Sequence, residues 1–297
     1  MRRMVWLSIC WVALSSVGAG TGPAPTNASG LNDSPYLSPS FRTLMEAVTF
    51  HLSFDADSLM PDMAEGPKHA PQIHGSWDRK HDAPIFADGL VGRALVLGTG
   101  TAIYPSAGNV PLASRGSMAF WIKPEKWRRP NGSNVTFVTA GGEFYLQRQG
   151  PAQADDGAIT RQEGIQYLVK SSPAQKHFIH LGAGIWENGK WYLLVANWSW
   201  PRMSLSVNGG PFHAISLPGR PANDMFQSLS VGSGGGGRAL MDELLAFRRP
   251  LTAEEAQLLY SVGRSRPPGQ AGTRPARQAP QAKMREPEGT TTPGEST

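Results

Sequence analysis

The sequence predicts an all-β sandwich of antiparallel sheets closed by one short C-terminal helix. Short apolar segments of strand length recur from Ala47 to Phe247, divided by glycine, proline and asparagine turns. A helix-capping pattern then begins at Thr252, the only convincing helix start in the chain. The composition permits the core that such a fold needs. Of 297 residues, 40% are hydrophobic and only 17% charged. The 34 glycines and 25 prolines stay below the roughly 25–30% that marks a disordered or fibrous chain. No apolar run reaches the ~18 residues of a membrane-spanning helix, which excludes a polytopic membrane protein.

The elements follow in order. Val48–Phe54 alternates, and alternation places Val48, Phe50, Leu52 and Phe54 on one face. Residues 55–90 are irregular, and strands resume at Ala94–Leu97 and Thr101–Tyr104. Ser117–Lys123 sets Met118, Phe120 and Ile122 on one face and Ala119 and Trp121 on the other. Apolarity on both faces is what an inner strand of a sandwich requires. Further strands are expected at Val135–Thr139, Phe144–Gln147, Ile165–Lys170, Phe178–Leu181, Trp191–Trp198, Met203–Val207, Phe212–Leu217, Leu229–Val231 and Ala239–Phe247. Asn208-Gly209-Gly210 marks a hairpin, because Asn and Gly tolerate positive φ. The helix runs from Thr252 to about Val262, with Glu255 completing a capping box and Gly263 just beyond.

The two ends differ from the middle. Residues 1–19 read as a secretory signal peptide: Arg2 and Arg3, then an apolar stretch from Val5 to Val17, then Val17-Gly18-Ala19 at a cleavage site. Residues 20–46 read as a flexible linker rich in Gly, Pro, Ser and Asn. Residues 264–297 have almost no large apolar side chain and read as a disordered Pro/Arg-rich tail. The expected domain is therefore 47–263, secreted or periplasmic or held at the cell surface, with no membrane span once the signal is removed. The one cysteine, Cys10, lies in the signal. The mature chain then has no disulfide and no Cys-based zinc site, and an exported domain without disulfides points toward a bacterial source. Against this, Asn27, Asn32, Asn131, Asn134 and Asn197 all open N-x-[S/T] sequons, where about one is expected by chance.

Charge is also confined to the ends. The net charge is +5, yet residues 20–263 carry 20 basic and 20 acidic side chains. A neutral body without a basic stripe excludes nucleic acid as the expected partner.

Four segments carry a resemblance. Gly92–Leu97, Gly116–Pro124, Gly189–Tyr192 with Ser206–Gly209, and Met241–Glu255 with Leu259-Tyr260 are similar, in that order, to the strand and closing-helix motifs of the laminin-G-like domains of the concanavalin A-like lectin/glucanase family. The resemblance implies a jelly roll of two antiparallel sheets. It also implies a structural Ca²⁺ at the sandwich edge. Asp242, at the closing-strand Asp of the motif, and Asp55, just after the opening strand, are the carboxylates expected to hold it, since Ca²⁺ takes six to eight oxygen ligands.

Catalytic patterns are scarce. Glycanases of this architecture set paired carboxylates on alternate residues of one strand, E-x-D-x-E or similar, and the chain has no such run. Asp242 and Glu243 are adjacent and so face opposite sides of a strand. Gly232–Gly237 matches G-x-G-x-x-G by letter but precedes a strand, so it cannot cradle a phosphate as a helix N-terminus does. His69, His74 and His81 share a loop and read as surface residues. The expected function is an exported, non-catalytic binding or adhesion module for a carbohydrate or an extracellular protein. The alternative is a divergent glycan-active hydrolase on the same fold. Sugar recognition would use aromatic faces, and Trp186, Trp198 and Trp200, near strand ends, are the expected ligand-binding residues.

Overall fold

The computed structural model describes residues 38–265 apart from 78–82, 99, 112–113, 126, 128–133, 154–158, 162, 173–174, 183–185, 220, 222–226 and 234–237. The expected signal peptide, most of the linker and the tail from residue 266 lie outside the described residues. So do Cys10, His81, Asn27, Asn32, Asn131 and the glycine turn at 234–237.

Among the described residues, two helices and eighteen strands follow one another. They are α1 (Pro39–Glu46), β1 (Val48–Leu52), β2 (Met63–Ala64), β3 (Gln72–His74), β4 (Phe86–Asp88), β5 (Arg93–Leu97), β6 (Thr101–Pro105), β7 (Arg115–Glu125), β8 (Val135–Ala140) and β9 (Phe144–Gln149). Then come β10 (Ala152–Gln153), β11 (Ile159–Arg161), β12 (Gly164–Ser172), β13 (Gln175–Gly182), β14 (Tyr192–Ser199), β15 (Arg202–Val207), β16 (His213–Ser216), β17 (Ser228–Ser233), β18 (Arg238–Phe247) and α2 (Ala253–Ser265). One sheet has nine strands along the path β16-β15-β14-β7-β18-β1-β2, with β5 and β4 branching from β18. The other has seven, in the order β13-β12-β9-β8-β17-β6-β3. All the pairings are antiparallel, among them β18 with β7 and β12 with β13. The all-β jelly-roll reading therefore holds.

The sheets bury their facing sides against each other. Met118, Phe120 and Ile122 of β7, Leu194 and Trp198 of β14 and Met241 and Leu244 of β18 meet Phe137 and Val138 of β8, Phe144 and Leu146 of β9, Tyr167 and Val169 of β12 and Leu229 of β17. The nine-stranded sheet is apolar on its outer side too. There Ala119, Trp121, Leu193, Val195, Leu245 and Phe247 pack against Phe41 and Leu44 of α1 and Ala256, Leu259 and Val262 of α2. The two-sided pattern read from β7 is thus satisfied by sheet on one face and helices on the other. No helix among the described residues is long and apolar enough to cross a membrane.

Three local readings change. The end of the expected linker is α1. Ser38 caps it, accepting the Phe41 N–H at 3.1 Å, and Pro39 opens its first turn. Phe41 and Leu44, three residues apart, share the face that meets the sheet. Val48 does not share a face with Phe50, Leu52 and Phe54, because the register of β1 against β18 shifts between Val48 and Phe50. The bulge turns Val48 outward to the helices while Phe50 and Leu52 stay in the interior. Finally, α2 runs through Gly263 to Ser265 instead of stopping before it. Gly263 lies directly on the Trp121 indole, where a Cβ would collide with the ring. Close approach, not helix termination, is the reason for glycine there. The helix start is as expected: Glu255 N–H donates to Thr252 Oγ1 at 3.2 Å, and Thr252 N–H donates to Glu255 Oε2 at 2.9 Å.

Gly263→Ala tests this packing. The added methyl must push Trp121 off Tyr260, on which it stacks at 5.7 Å. Chemical denaturation should show a loss of about 1–3 kcal/mol, as overpacking costs. An unchanged midpoint would contradict the close contact.

Candidate functional site

Two of the three tryptophans expected to form an aromatic platform, Trp186 and Trp198, lie inside the protein. Trp198 is 0% exposed; its ring meets Phe144 at 5.9 Å and its Nε1–H donates to the Pro111 carbonyl at 3.0 Å. Trp186 is 4% exposed and packs on Tyr192 at 4.9 Å and on Trp127 at 6.3 Å. Trp127 in turn receives the buried Arg148 guanidinium over its ring at 5.4 Å, and Arg148 also holds Glu163 at 2.7 Å. Trp200 is half-buried against the same core. Expectation of a stacking surface at Trp186 and Trp198 is thus corrected. The open end of a sandwich needs bulky plugs, and aromatics at strand ends supply them. Strand alternation gives no guidance for Trp186, which lies in a connection and not in a strand.

The expected metal carboxylates occupy one seam. The first half of β18, Ala239–Met241, pairs with β5, and the second half, Leu244–Phe247, pairs with β1. Between them the register against β7 shifts, and Glu243 takes φ +50°. Asp242 sits in that gap, fully buried. Its Oδ2 accepts the N–H groups of Leu90 and Val91 at 2.8 and 3.0 Å, which ties the β4–β5 turn to β18. Asp55 Oδ1 accepts the Arg93 N–H at 3.1 Å beside the same turn. Glu243 bonds His51 Nε2 at 2.6 Å. His51 does not stand out in the sequence, since alternation in β1 assigns it with Thr49 and Ser53 to the face that ordinarily carries solvated polar side chains.

Burial, then the charge of Glu243 and, more weakly, that of Asp55, push the Asp242 carboxyl well above its usual range, although the two backbone N–H bonds oppose this. Burial opposes charging of His51, but the Glu243 carboxylate outweighs it, aided by Asp62 and Asp55, and His51 titrates above its ordinary value.

A cation would suit part of this seam. Asp242 Oδ1 is buried and has no hydrogen-bond partner. An orphaned carboxylate oxygen with a second carboxylate close by is a donor set that a hard cation takes. The described residues hold no group of three His, Cys, Asp or Glu side chains able to surround a metal, so backbone carbonyls would have to complete the shell. His69 and His74 are exposed, as expected of surface residues.

The seven-stranded sheet presents a different face. Its inward positions are apolar apart from the buried Arg148, so Tyr145, Gln147 and Gln149 of β9, Gln166, Leu168 and Lys170 of β12 and Phe178 and His180 of β13 point outward by alternation. Gln147 Nε2 donates to Gln166 Oε1 at 2.8 Å, and Gln166 Nε2 donates to Gln149 Oε1 at 3.1 Å. Both helices pack on the other sheet, so neither covers this one. The residue sequences of β3, β6, β8, β9, β12, β13 and β17 contain no Asp and no Glu.

Residues 97–257 match the family model described as the concanavalin A-like lectin/glucanases superfamily. The chain belongs to that superfamily. No curated protein sequence matches it. Among solved structures, the fold is similar to the receptor-binding domain of botulinum neurotoxin mosaic serotype C/D, with TM-score 0.55 and 12% identity over 73% of this chain and 51% of that one. It is also similar to the binding domain of botulinum neurotoxin DC in complex with rat synaptotagmin II, with TM-score 0.57, 13% identity and 73% and 52% coverage. The same binding domain in complex with SialylT matches at TM-score 0.55 and 13% identity, again over 73% and 52%. The chain spans about half the length of these structures, and at this identity the likeness is one of fold. The superfamily contains both lectins and glucanases, so membership leaves the choice of function to the chain's own residues.

The titration of the seam predicts a direction. The raised His51 stabilises the fold fully below its unfolded pKa near 6.5 and loses this as pH rises through its higher folded value. Asp242, raised from 3.8, likewise favours the protonated side, so its contribution also falls as pH rises. In chelator, the melting temperature should decline from about pH 6 to about pH 9, and His51→Gln should flatten that decline. A melting temperature that climbs over this interval would contradict the assignment.

Proposed function

We propose that the protein is an exported, non-catalytic binding module that recognises an extracellular glycan or protein. One observation carries this reading: the seven-stranded sheet, the one that neither described helix covers, has no acidic residue in any of its strands. A glycanase needs two carboxyl groups about 5–9 Å apart on the sugar-binding surface. The acidic residues that do cluster, Asp55, Asp242 and Glu243, are committed to the seam of the opposite sheet. The solved structures of similar fold are themselves named as binding domains, with a glycan in one complex and a protein in another, which is compatible with this reading at the level of fold.

The same reading gives the seam a supporting role. One structural Ca²⁺ held by Asp242 and Asp55 would satisfy the orphaned Asp242 oxygen and fix the β4–β5 turn to the closing strand. It would supply charge neutralisation there and no chemistry.

Two measurements test these statements. Incubation of the purified protein with soluble polysaccharides should show retention without any new reducing ends; turnover would overturn the non-catalytic assignment. Its neutral body should make binding nearly independent of salt. Separately, chelator should lower the melting temperature, by an amount equivalent to about 3 kcal/mol where Ca²⁺ had stood at a hundredfold excess over Kd. Asp242→Ala should abolish the chelator effect. Identical melting curves with and without chelator would remove the metal.

A further inference from the structure

One end of the nine-stranded sheet carries a row of polar side chains. The register places Arg115 of β7 beside Ser199 of β14, Ser199 beside Arg202 of β15, and Arg202 beside Ser216 of β16. Alternation sets this row on the side that bears the helices, the side of Ala119 in β7 and Val195 in β14. The next row along is covered by the segment between β18 and α2. There Ser117 Oγ donates to the Arg249 carbonyl at 2.9 Å, and Asn197 Nδ2 donates to the Leu251 carbonyl at 2.8 Å. The row from Arg115 to Ser216 lies just past that cover, and all four of its residues are exposed. The backbone beneath it is fixed. Gly116 packs so closely on Trp198 that an added Cβ would fall 2.7 Å from the ring, and the Trp198 Nε1–H donates to the Pro111 carbonyl ahead of β7 at 3.0 Å.

The charge of this row is unbalanced. Among the described residues, neither the Arg115 nor the Arg202 guanidinium has a hydrogen-bond, ion-pair or ring partner. By contrast, Arg238, Arg248 and Arg249 each meet a carboxylate. The strands β14, β15 and β16 contain no acidic residue. The single acid of β7, Glu125, stands at the opposite end of an 11-residue strand, about 33 Å from Arg115, and is held there by Arg238 at 2.8 Å. Two unpaired arginines thus flank Ser199, with Cα atoms about 10 Å apart across three strands. Arginine is long enough for both side chains to close on one group above the serine.

We propose that Arg115 and Arg202, with the Ser199 hydroxyl between them, bind the phosphoryl group of a phosphomonoester. A guanidinium presents its N–H groups as a planar fork, and one fork takes two oxygens of an oxyanion. A carboxylate is satisfied by a single fork. A terminal phosphoryl group offers three peripheral oxygens and a charge of about −2 at neutral pH, which matches two forks, one hydroxyl donor and two positive charges. A phosphodiester or a sulfate ester carries one negative charge fewer. The cations of the neighbouring segment, Arg248 and Arg249, are already neutralised by Glu65 and Glu255, so the local excess is the pair itself. The site lies on the opposite sheet from the surface on which the non-catalytic reading rests, and it stands or falls separately from that reading.

The test titrates the full chain, ¹⁵N-labelled, with methyl phosphate, methyl sulfate and dimethyl phosphate at pH 7.5 and follows the arginine Nε resonances. Methyl phosphate should bind about tenfold more tightly than either monoanion, and added salt should weaken it. Arg115→Gln and Arg202→Gln should each cost about tenfold or more with the melting curve unchanged, because both side chains are exposed. Arg238→Gln, at the far end of β7, should leave the affinity as it was. Sedimentation with phosphatidylcholine vesicles containing phosphatidic acid, lost in the same two variants, would assign the phosphoryl group to a lipid headgroup; binding of methyl phosphate without the vesicles would assign it to a soluble ester, and either supports the site. No binding of methyl phosphate, or equal affinity for the three esters, would overturn the inference. So would full affinity in both arginine variants, or a loss in Arg238→Gln as large as theirs, which would mark only a general attraction to positive charge.

Discussion

One packing constraint orders the whole structure: a strand apolar on both sides must be covered on both sides. In β7, Met118, Phe120 and Ile122 face the opposite sheet, while Ala119 and Trp121 face outward and would otherwise meet water. Neighbouring β14 and β18 repeat the pattern with Leu193, Val195, Leu245 and Phe247. At about 25 cal/mol per Å² of apolar surface, such a face cannot be left exposed without a large loss of stability. The chain covers it with α1 before the first strand and α2 after the last, so both ends of the domain seal the same sheet. The middle of the nine-stranded sheet is thereby committed to structure. The outer face of its seven-stranded partner is covered by neither of the described helices.

The closing strand joins the remaining parts. β18 pairs with β7 along one side and divides its other side between β5 and β1. The gap between those two partners needs something to satisfy the N–H groups of the β4–β5 turn, and the Asp242 carboxylate does so. Its burial is costly unless the charge is neutralised by a proton or a cation. The orphaned Oδ1 and the raised pKa have this one cause. Glu243, turned by the bulge, meets His51 from β1 and holds the other side of the seam.

Most of the fold was legible in the sequence because alternation and turn chemistry are local. The long strands lie within a few residues of their expected limits, and Asn208 and Gly209 take the positive φ angles that their turn demands. What escaped was non-local. The bulge after Val48 is set by pairing with β18, and α1 has too short an apolar face to be distinguished from a linker before the sheet that receives it is known. Gly263 reads as a helix stop until Trp121 is seen against it. The site was less legible still. Tryptophans near strand ends read equally well as sugar platforms and as core plugs, and the structure makes Trp186 and Trp198 plugs. Gln147 and Gln149 lie 19 and 17 positions from Gln166 in sequence, and only the register of β9 with β12 brings the three into one chain of hydrogen bonds.

The covering of the nine-stranded sheet from both ends of the domain is the central claim, and Leu44 reports on it directly. It is 0% exposed where α1 meets the sheet. In chemical denaturation, Leu44→Ala should cost about 2–5 kcal/mol, as the loss of a core leucine does. An unchanged midpoint, the result for a linker that only precedes the domain, would contradict the account.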